Sequence, residues 1–329
     1  MKKHKICKIL LVILAIFLCV AFYELLGICV AYKKQPEVSN TTKKETKNGS
    51  WNECSENTER AVIIEKNPEA LLQRVRLIKN AKKEIILSTF AFQSDESGKL
   101  ILGALHDAAD RGVHIRLLVD GMESWIDMEG NPYFYGLSSH ENVEIKLYNK
   151  ANPLKPWKTM GRMHDKYLIA DGKRYILGGR NTYNYFLGDF PGHKNYDRDV
   201  LVVCDEPEKE NSVNQLLEYF ETIWEQEDSG YFHDNKKLAN RKSVKNAVLE
   251  LQNGYQKYFE ENKERICDTD YTDETFETEK IALVSNPIHT GSKEPVVWYQ
   301  LGELMKNAKN RVKIHTPYII CNDMMYNTW

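Results

Sequence analysis

Residues 163–181 read MHDKYLIADGKRYILGGRN, and this stretch decides the fold. Residues 164–170 and 174–179 are rich in branched and aromatic side chains, which favour short strands. Between them lies Asp171-Gly172, a strong hairpin signal because glycine accepts a positive φ. The stretch is therefore predicted to form a β-hairpin.

Polar side chains gather at one end of this predicted hairpin. Side chains alternate along a strand, so His164 and Lys166 are expected to project the same way, and Asn181 can return to the same end. Lysine supplies a point charge, asparagine an N–H donor, and histidine a nucleophile or proton carrier for a phosphate group. An HxK pair alone is more often two ordinary exposed strand residues. Asp171 falls at the turn and is expected to brace it rather than touch a substrate.

The composition is that of a globular protein without a basic bias. The chain has 329 residues, 28% of them charged, and a formal net charge of −2. The length allows more than one domain, and the charge gives no general attraction to nucleic acid. The seven cysteines lack zinc-site spacing and are interpreted as isolated thiols. A Cys54–Cys267 disulfide is a speculative pairing if the domain is extracytoplasmic.

The N-terminus predicts a membrane segment. Residues 1–5 are basic, and residues 6–32 are almost wholly apolar, broken by Lys8 and Glu24. A membrane anchor over residues 1–32 is favoured over a cleaved signal sequence, because no small-x-small cleavage site is well placed. The short basic terminus favours a cell-membrane protein with its catalytic domain outside. Residues 33–60 are polar and are predicted to form a linker.

Residues 61–280 alternate between helical and strand patterns. The order of elements, with buried strands, indicates α/β layering. Helices are expected from residue 67 and over 98–111 and 213–226, and strands over 84–92, 113–121, 143–149 and within 196–205. Charged helices are expected over 233–280, with a loose connection at 267–278.

The loop over residues 150–162, KANPLKPWKTMGR, is basic and carries Trp157. Its lysines and arginine suit either of two interpretations. One is an ordinary solvated loop. The other is a basic, aromatic rim for a lipid headgroup or a membrane surface.

The end of the chain repeats an earlier part of it. Residues 77–92, LIKNAKKEIILSTFAF, align with residues 304–319, LMKNAKNRVKIHTPYI, at an offset of 227. Residues 281–329 are therefore expected to begin a second copy of the 61–280 domain, truncated before a second motif. Two unrelated helix–strand units are the alternative.

The full pattern HxKx4Dx6GGxN over residues 164–181 resembles the HKD motif of the phospholipase D superfamily. Across residues 61–329 the chain is most similar to bacterial cardiolipin synthases, through stretches such as LLQRVRLIKNAKKEI, RMHDKYLIADGKRYILGGRNTYNYF and YDRDVLVV. The resemblance implies an α/β/α sandwich, with one complete half and the start of a second. In such enzymes two motifs meet in one active site that uses neither metal nor cofactor.

The resemblance assigns roles to the motif residues. His164 would form a phosphohistidine, and Lys166 and Asn181 would hold the phosphoryl oxygens. Asp171 is the acid of the motif. The two motif glycines would let the backbone approach the phosphate closely, and they are Gly178 and Gly179.

A carboxylate beyond the motif is also implied. Superfamily members take the acid that orients the nucleophilic histidine from a position farther along the chain. Asp199 fits this role best, with Asp197 second. A turn or a helix cap is the ordinary interpretation of such a pair.

The implied activity is phosphatidyl transfer between phospholipids at a membrane, with phosphatidylglycerol or a similar lipid as substrate. No nucleic acid is expected as a partner. Because the second histidine is missing, a homodimer would have to supply it. A membrane-tethered homodimeric nuclease or phosphodiesterase, and an inactive fragment or scaffold, are the rival hypotheses.

Overall fold

The computed structural model describes residues 2–33, 36–49, 59–204, 206, 211–233, 235–314, 316, 318 and 326. These residues form two units. The larger unit comprises the described residues within 54–151 and 162–281, and the smaller unit those within 1–53, 152–161 and 282–329.

The larger unit is built on one mixed sheet of nine strands. The strands are β1 Glu59–Ile64, β2 Glu84–Thr89, β3 His114–Asp120, β4 Val143–Tyr148, β5 Lys166–Ala170, β6 Arg174–Gly178, β7 Asp199–Cys204, β8 Ser229–Tyr231 and β9 Phe276–Glu277. Their order across the sheet is β8-β4-β3-β2-β5-β6-β7-β1-β9.

Ten α-helices are present in the described parts of the chain. They are α1 Lys2–Ala31, α2 Asn40–Asn48, α3 Asn67–Asn80, α4 Glu96–Asp110, α5 Gly121–Asp127, α6 Pro132–Ser138, α7 Ser212–Trp224, α8 Lys242–Glu261, α9 Lys263–Cys267 and α10 Val296–Asn307. Short 3₁₀ helices lie at Pro156–Lys158 and Lys236–Asn240.

The strand directions bring several chain ends to one edge of the sheet. β2, β3 and β4 are parallel, whereas β5 runs antiparallel to β2 and β6 antiparallel to β5. The carboxyl ends of β2, β3 and β6 therefore lie at the same edge of the sheet as the amino ends of β5 and β7. We call this the site edge.

Helices cover both faces of the sheet, because alternate strand side chains on each face are apolar. One face packs against α3 and α4 in a core that includes Ile85, Leu117 and Leu168, and α8 packs on α4 and α6. The other face packs against α7, where the ring of Tyr167 meets Phe220. The predicted α/β sandwich is confirmed.

Two predictions about the edges of this domain are wrong. β1 starts at residue 59, inside the predicted linker, and pairs with β7 along its whole length. The predicted loose connection at 267–278 contains β9, and Tyr271 within it is buried under the guanidinium of Arg76. Both segments are ordered by partners far away in sequence, which local patterns do not reveal.

The smaller unit contains α1, α2, residues 152–161 and α10. One helix of the described chain, over Lys5–Ala31, is long and apolar enough to cross a membrane. α2 lies inside the predicted linker. Cys54 lies outside the described residues, so the Cys54–Cys267 pairing stays a prediction, and Cys267 is exposed.

The helices in the two segments aligned by the sequence repeat end at equivalent positions. α3 ends at Asn80 and α10 ends at Asn307, which are aligned by the repeat, and Ala81 and Ala308 cap the two helices in the same extended conformation. The strand expected next is not formed in the described residues 311–314. A strand needs a paired neighbour, and the described part of the smaller unit has no sheet.

Candidate active site

The site edge gathers the residues that the sequence singled out. Across the β2–β5 ladder, Thr89 at the end of β2 pairs with Lys166 at the start of β5. His164 stands two residues before β5, and Asn181 stands three residues after β6. The hairpin therefore brings the proposed phosphate-binding residues to one place.

His164 and Lys166 are neighbours for a different reason from the one predicted. Strand alternation does not apply to His164, because β5 begins at Lys166. Instead, Lys166 Nζ donates a 2.6 Å hydrogen bond to the backbone oxygen of His164. His164 is exposed, whereas Lys166 is buried.

Asp120 holds the segment that leads to His164. This residue ends β3 and caps α5 by accepting from the backbone N–H groups of Met122 and Glu123. Its carboxylate also binds Arg162 Nη2 at 2.6 Å and the Met163 N–H at 3.1 Å. Sequence reasoning missed Asp120, although an acid at the carboxyl end of a buried parallel strand was a usable signal.

Phe90 forms the wall beside His164. The two ring centroids are 4.5 Å apart in an edge-to-face arrangement. The cationic groups of Arg162 and Lys166 lie 5.0 and 5.2 Å from the centre of the same ring. Cations favour the electron-rich face of an aromatic ring, so Phe90 helps to keep both charges next to the imidazole.

Asn181 is fixed on the same short segment. Its Oδ1 accepts a 3.2 Å hydrogen bond from the backbone N–H of Ala91. Burial raises the pKa of the Tyr183 hydroxyl, and a hydrogen bond with Asn181 partly offsets that rise. Lys166, His164 and Asn181 thus converge on residues 89–91 at the end of β2.

The electrostatics favour a neutral imidazole at His164 and an ammonium at Lys166 that loses its proton more easily than usual. Desolvation of the His164 ring where it packs against Phe90, although the residue as a whole is exposed, and then the positive charge of Lys166 lower the pKa of His164 from its usual value. Burial lowers the pKa of Lys166 to about 8, although the carboxylates of Asp165 and Asp197 counteract this effect. Near neutral pH the histidine carries a free lone pair and the lysine keeps its charge.

The two motif glycines make room for carboxylates. A Cβ at Gly178 would overlap Asp199 Oδ1, and a Cβ at Gly179 would overlap the carboxylate of Asp197. The predicted reason for these glycines was close approach to a phosphate. The contacts within the protein give them a different role, which is to let β6 and the start of β7 pack tightly.

Asp199 is committed to an arginine pair. Its Oδ2 lies 2.9 Å from Arg74 Nη1 and 3.3 Å from Arg180 Nη1, and all three side chains are buried. Among the described residues, its Oδ1 has no hydrogen-bond partner. The predicted bond from Asp199 to His164 is therefore not formed, because the buried arginines take this carboxylate.

Asp197 lies closer to the motif charges. Its half-buried carboxylate rests against Gly179 and supports the charge of Lys166. The buried side chain of Arg180 holds the backbone of Asp197 by donating a hydrogen bond to the Asp197 carbonyl oxygen. Of the two candidate acids, Asp197 is therefore the one whose charge reaches the motif, and it acts on Lys166.

Asp171 lies at the turn, as predicted, at the opposite edge of the sheet. It has a positive φ of 55°. Its Oδ1 accepts from the backbone N–H groups of Lys82, Lys83 and Glu84 at 3.1, 2.7 and 3.0 Å. Asp171 therefore ties the hairpin to the start of β2 and is distant from the site edge, so a catalytic contact is not formed.

Within the described residues, no group of three or more His, Cys, Asp or Glu side chains is arranged to hold a metal ion.

Comparison with known proteins identifies a family for the part of the chain that contains this site. Residues 74–224 match the family described as cardiolipin synthase, phospholipase D-like domain. The match contains every residue discussed at the site edge. The chain is a member of the phospholipase D superfamily and resembles the cardiolipin synthases.

Two relatives illustrate the extent of the similarity. The chain is 28% identical over 292 residues to an uncharacterized protein of Helicobacter pylori strain J99, covering 79% of this chain and 54% of that protein. It is 29% identical over 171 residues to cardiolipin synthase C of Escherichia coli K12, covering 48% of this chain and 34% of that enzyme. The chain thus spans about half the length, or less, of these curated relatives.

One solved structure shows a partial likeness to this chain. Phosphatidylserine synthase of Haemophilus influenzae Rd KW20 superposes with a TM-score of 0.47 at 15% sequence identity, covering 75% of this chain and 52% of that one.

Proposed function

We propose that this chain supplies one half of an active site that transfers a phosphatidyl group between phospholipids, as cardiolipin synthases do. The observation that carries the proposal is the convergence of His164, Lys166 and Asn181 on residues 89–91. These three side chains provide a nucleophile, a cation and an amide donor at one edge of the sheet. That combination fits a phosphodiester substrate.

The proposed reaction has two displacements at phosphorus. In the first, the lone pair of a His164 ring nitrogen attacks phosphorus, the P–N bond forms, and the P–O bond to the departing alcohol breaks. In the second, a hydroxyl of the acceptor attacks phosphorus and the P–N bond breaks. Lys166 and Asn181 stabilise the negative charge on the phosphoryl oxygens in both steps.

A second acid–base group is needed to protonate the departing alkoxide and to take the proton of the acceptor. We propose that the same histidine of a second copy of this chain serves in this role in its protonated form, so that each reaction begins with one neutral and one protonated imidazole and the proton taken from the acceptor restores the second. Each copy would then contribute one motif to a shared site.

Acidic side chains beside the motif support a lipid substrate over a nucleic acid. Glu123 lies 3.1 Å from Arg162, and its charge and that of Asp95 act on Asp127. Burial, together with these two charges, raises the pKa of Asp127. A nuclease groove needs a run of cations to bind several phosphates, whereas a single phosphodiester needs only the local charge of Lys166, since Arg162 is already paired with Asp120 and Glu123.

The apolar helix α1 supports a membrane location for this reaction. It is long and apolar enough to cross a bilayer, and its apolar window is fully exposed in the structure. We propose that α1 anchors the chain in the membrane that contains its substrate.

Turnover by the purified full chain tests the proposed function. The chain is reconstituted with phosphatidylglycerol that carries one label in its phosphate and another in its headgroup glycerol, and cardiolipin, phosphatidic acid, free glycerol and labelled protein are measured. Cardiolipin is the expected product, and His164→Ala should abolish it and any acid-labile phosphoprotein. Cleavage of single-stranded DNA without lipid turnover would refute the lipid assignment, and turnover of neither would refute an active site altogether.

Mixing wild-type and His164→Ala chains tests the shared site. If each site needs two histidines from two exchanging copies, an equal mixture should retain about a quarter of the activity of the same total amount of wild-type chain. Retention of about half would show that each chain acts alone.

A further inference from the structure

We propose that residues 152–161 form a docking segment that lies against the end of α1 and enters the interface of a lipid bilayer. This inference rests on the proposed action at a phospholipid membrane. The loop containing this segment had two equal interpretations from its sequence, and its packing distinguishes them.

The docking segment is fastened to the last turns of α1. The Tyr23 hydroxyl donates a 3.0 Å hydrogen bond to the Leu154 carbonyl oxygen. A Cβ at Gly27 would come within 2.5 Å of Pro156 Cγ, so only glycine allows the proline to sit this close to the helix. Pro156 is buried in this contact.

These contacts set the depth of the segment along the helix. At a rise of 1.5 Å per residue, Tyr23 lies ~12 Å from the end of α1 at Ala31. The basic residues Lys5 and Lys8 are at the opposite end of the apolar helix. If α1 crosses the bilayer, the docking segment lies at the level where acyl chains give way to headgroups.

The side chains of the segment suit that level. Leu154, Met160 and Trp157 are 76%, 56% and 45% exposed. Tryptophan prefers the membrane interface because its ring is apolar and its N–H needs a polar partner. Lys155 is exposed, and its ammonium would meet anionic headgroups.

The docking segment lies directly before the motif in the chain, so its binding to the membrane bears on the proposed reaction. Gly161 ends the segment and His164 follows three residues later. Docking of the segment would hold the start of the motif next to the lipid headgroups, where the phosphodiester lies.

Photolabelling of the reconstituted full chain tests this proposal without any measurement of activity. The chain is placed in vesicles of phosphatidylcholine and phosphatidylglycerol that contain a photoactivatable phospholipid, and tryptic peptides are analysed by mass spectrometry. Peptide 151–158 contains Leu154 and Trp157, peptide 9–33 contains α1, and peptide 246–257 contains Leu249, which is 57% exposed on α8 and serves as the control.

Peptide 151–158 should carry at least about fivefold more label than peptide 246–257, because membrane contact and not exposure alone decides labelling. Leu154→Ser with Trp157→Ser should remove this difference, whereas the matched Leu249→Ser should leave it unchanged. Gly27→Leu should reduce labelling of peptide 151–158 while peptide 9–33 stays labelled.

Two results would overturn the proposal. One is labelling of peptide 9–33 with no excess on peptide 151–158, and the other is absence of label from peptide 9–33. A chain that shows the expected labelling but no lipid turnover would retain the docking segment and lose only the proposed function.

Discussion

Lys166 Nζ donates a 2.6 Å hydrogen bond to the backbone carbonyl oxygen of His164, which ties the cation of the motif to its histidine. The lysine is buried, and its pKa falls to about 8 because of that burial. The ammonium next to the proposed nucleophile is therefore a group that titrates close to neutral pH.

The pH dependence of lipid turnover should follow these two groups. His164 has a pKa below 6.5, so protonation of the attacking nitrogen should reduce the rate at lower pH. The rate should also fall as the pH rises through about 8, because neutral Lys166 no longer stabilises the phosphoryl oxygens. Initial rates measured between pH 5 and pH 10, at about one-unit intervals, give both limbs of the profile.

Lys166→Arg is the control for the alkaline limb. Arginine stays charged throughout this range, so the variant should be slower but should lose the decline near pH 8. An unchanged alkaline limb in Lys166→Arg would show that another group titrates there.

Substitution of Asp199 should mainly reduce the stability of the fold, whereas substitution of Asp197 should mainly change the pH dependence of turnover. Asp199→Asn leaves the guanidinium groups of Arg74 and Arg180 buried without a carboxylate, and loss of one partner of a buried ion pair costs ~3–5 kcal/mol. We expect a decrease of that size in the free energy of unfolding, measured by urea denaturation.

Asp197→Asn is the matched variant two residues away. Asp197 is half-buried, so the unfolding free energy should change by less than ~1 kcal/mol. Its carboxylate supports the charge of Lys166, so its loss should move the alkaline limb to lower pH. Equal destabilisation by the two variants would contradict this division of roles.

Asp171→Ala should reduce stability and spare the chemical step. The substitution removes the side-chain acceptor of the backbone N–H groups of residues 82–84, and because water can reach these largely exposed groups the cost is ~0.5–1.5 kcal/mol. Asp171→Asn should cost less, because an amide oxygen still accepts and asparagine tolerates the positive φ. Urea denaturation together with kcat of the folded enzyme checks this, and a large loss of kcat at unchanged stability would restore Asp171 to the catalytic set.

Tyr219→Phe should act on the motif from the other face of the sheet. The Tyr219 hydroxyl donates a 2.7 Å hydrogen bond to Asp165 Oδ2, and the Asp165 charge supports protonated Lys166. Without the hydroxyl the Asp165 carboxylate is no longer held in position, so it should stabilise the protonated form of Lys166 less. The alkaline limb of the pH profile should therefore shift to lower pH. Tyr231→Phe removes a similar 2.8 Å bond to Glu144 at an edge strand and should leave the profile unchanged. Identical profiles for both variants would rule out the Tyr219 effect.

The sequence identified the hairpin and its polar residues because those signals are local. Alternating apolar residues, the Asp171-Gly172 turn and the fixed motif spacing all lie within 19 residues, from 163 to 181. The family resemblance ranked Asp199 above Asp197 by its distance beyond His164, and local pattern could not test that ranking because the two acids stand only two residues apart. Their roles depend on Arg74, which is 125 residues away from Asp199 in the chain.

Sequence alone determined the α/β class, the motif at residues 164–181 and the apolar helix α1, because composition, periodicity and short-range spacing specify such features. Tertiary structure decided the partners. In the folded chain Asp199 pairs with buried arginines, and the ring of Phe90 lies beside His164. Asp120 accepts a hydrogen bond from the backbone just before the motif, and Pro156 packs on Gly27. Burial and ion pairing depend on which distant segments meet, and those contacts exist only once the sheet and the helices have assembled.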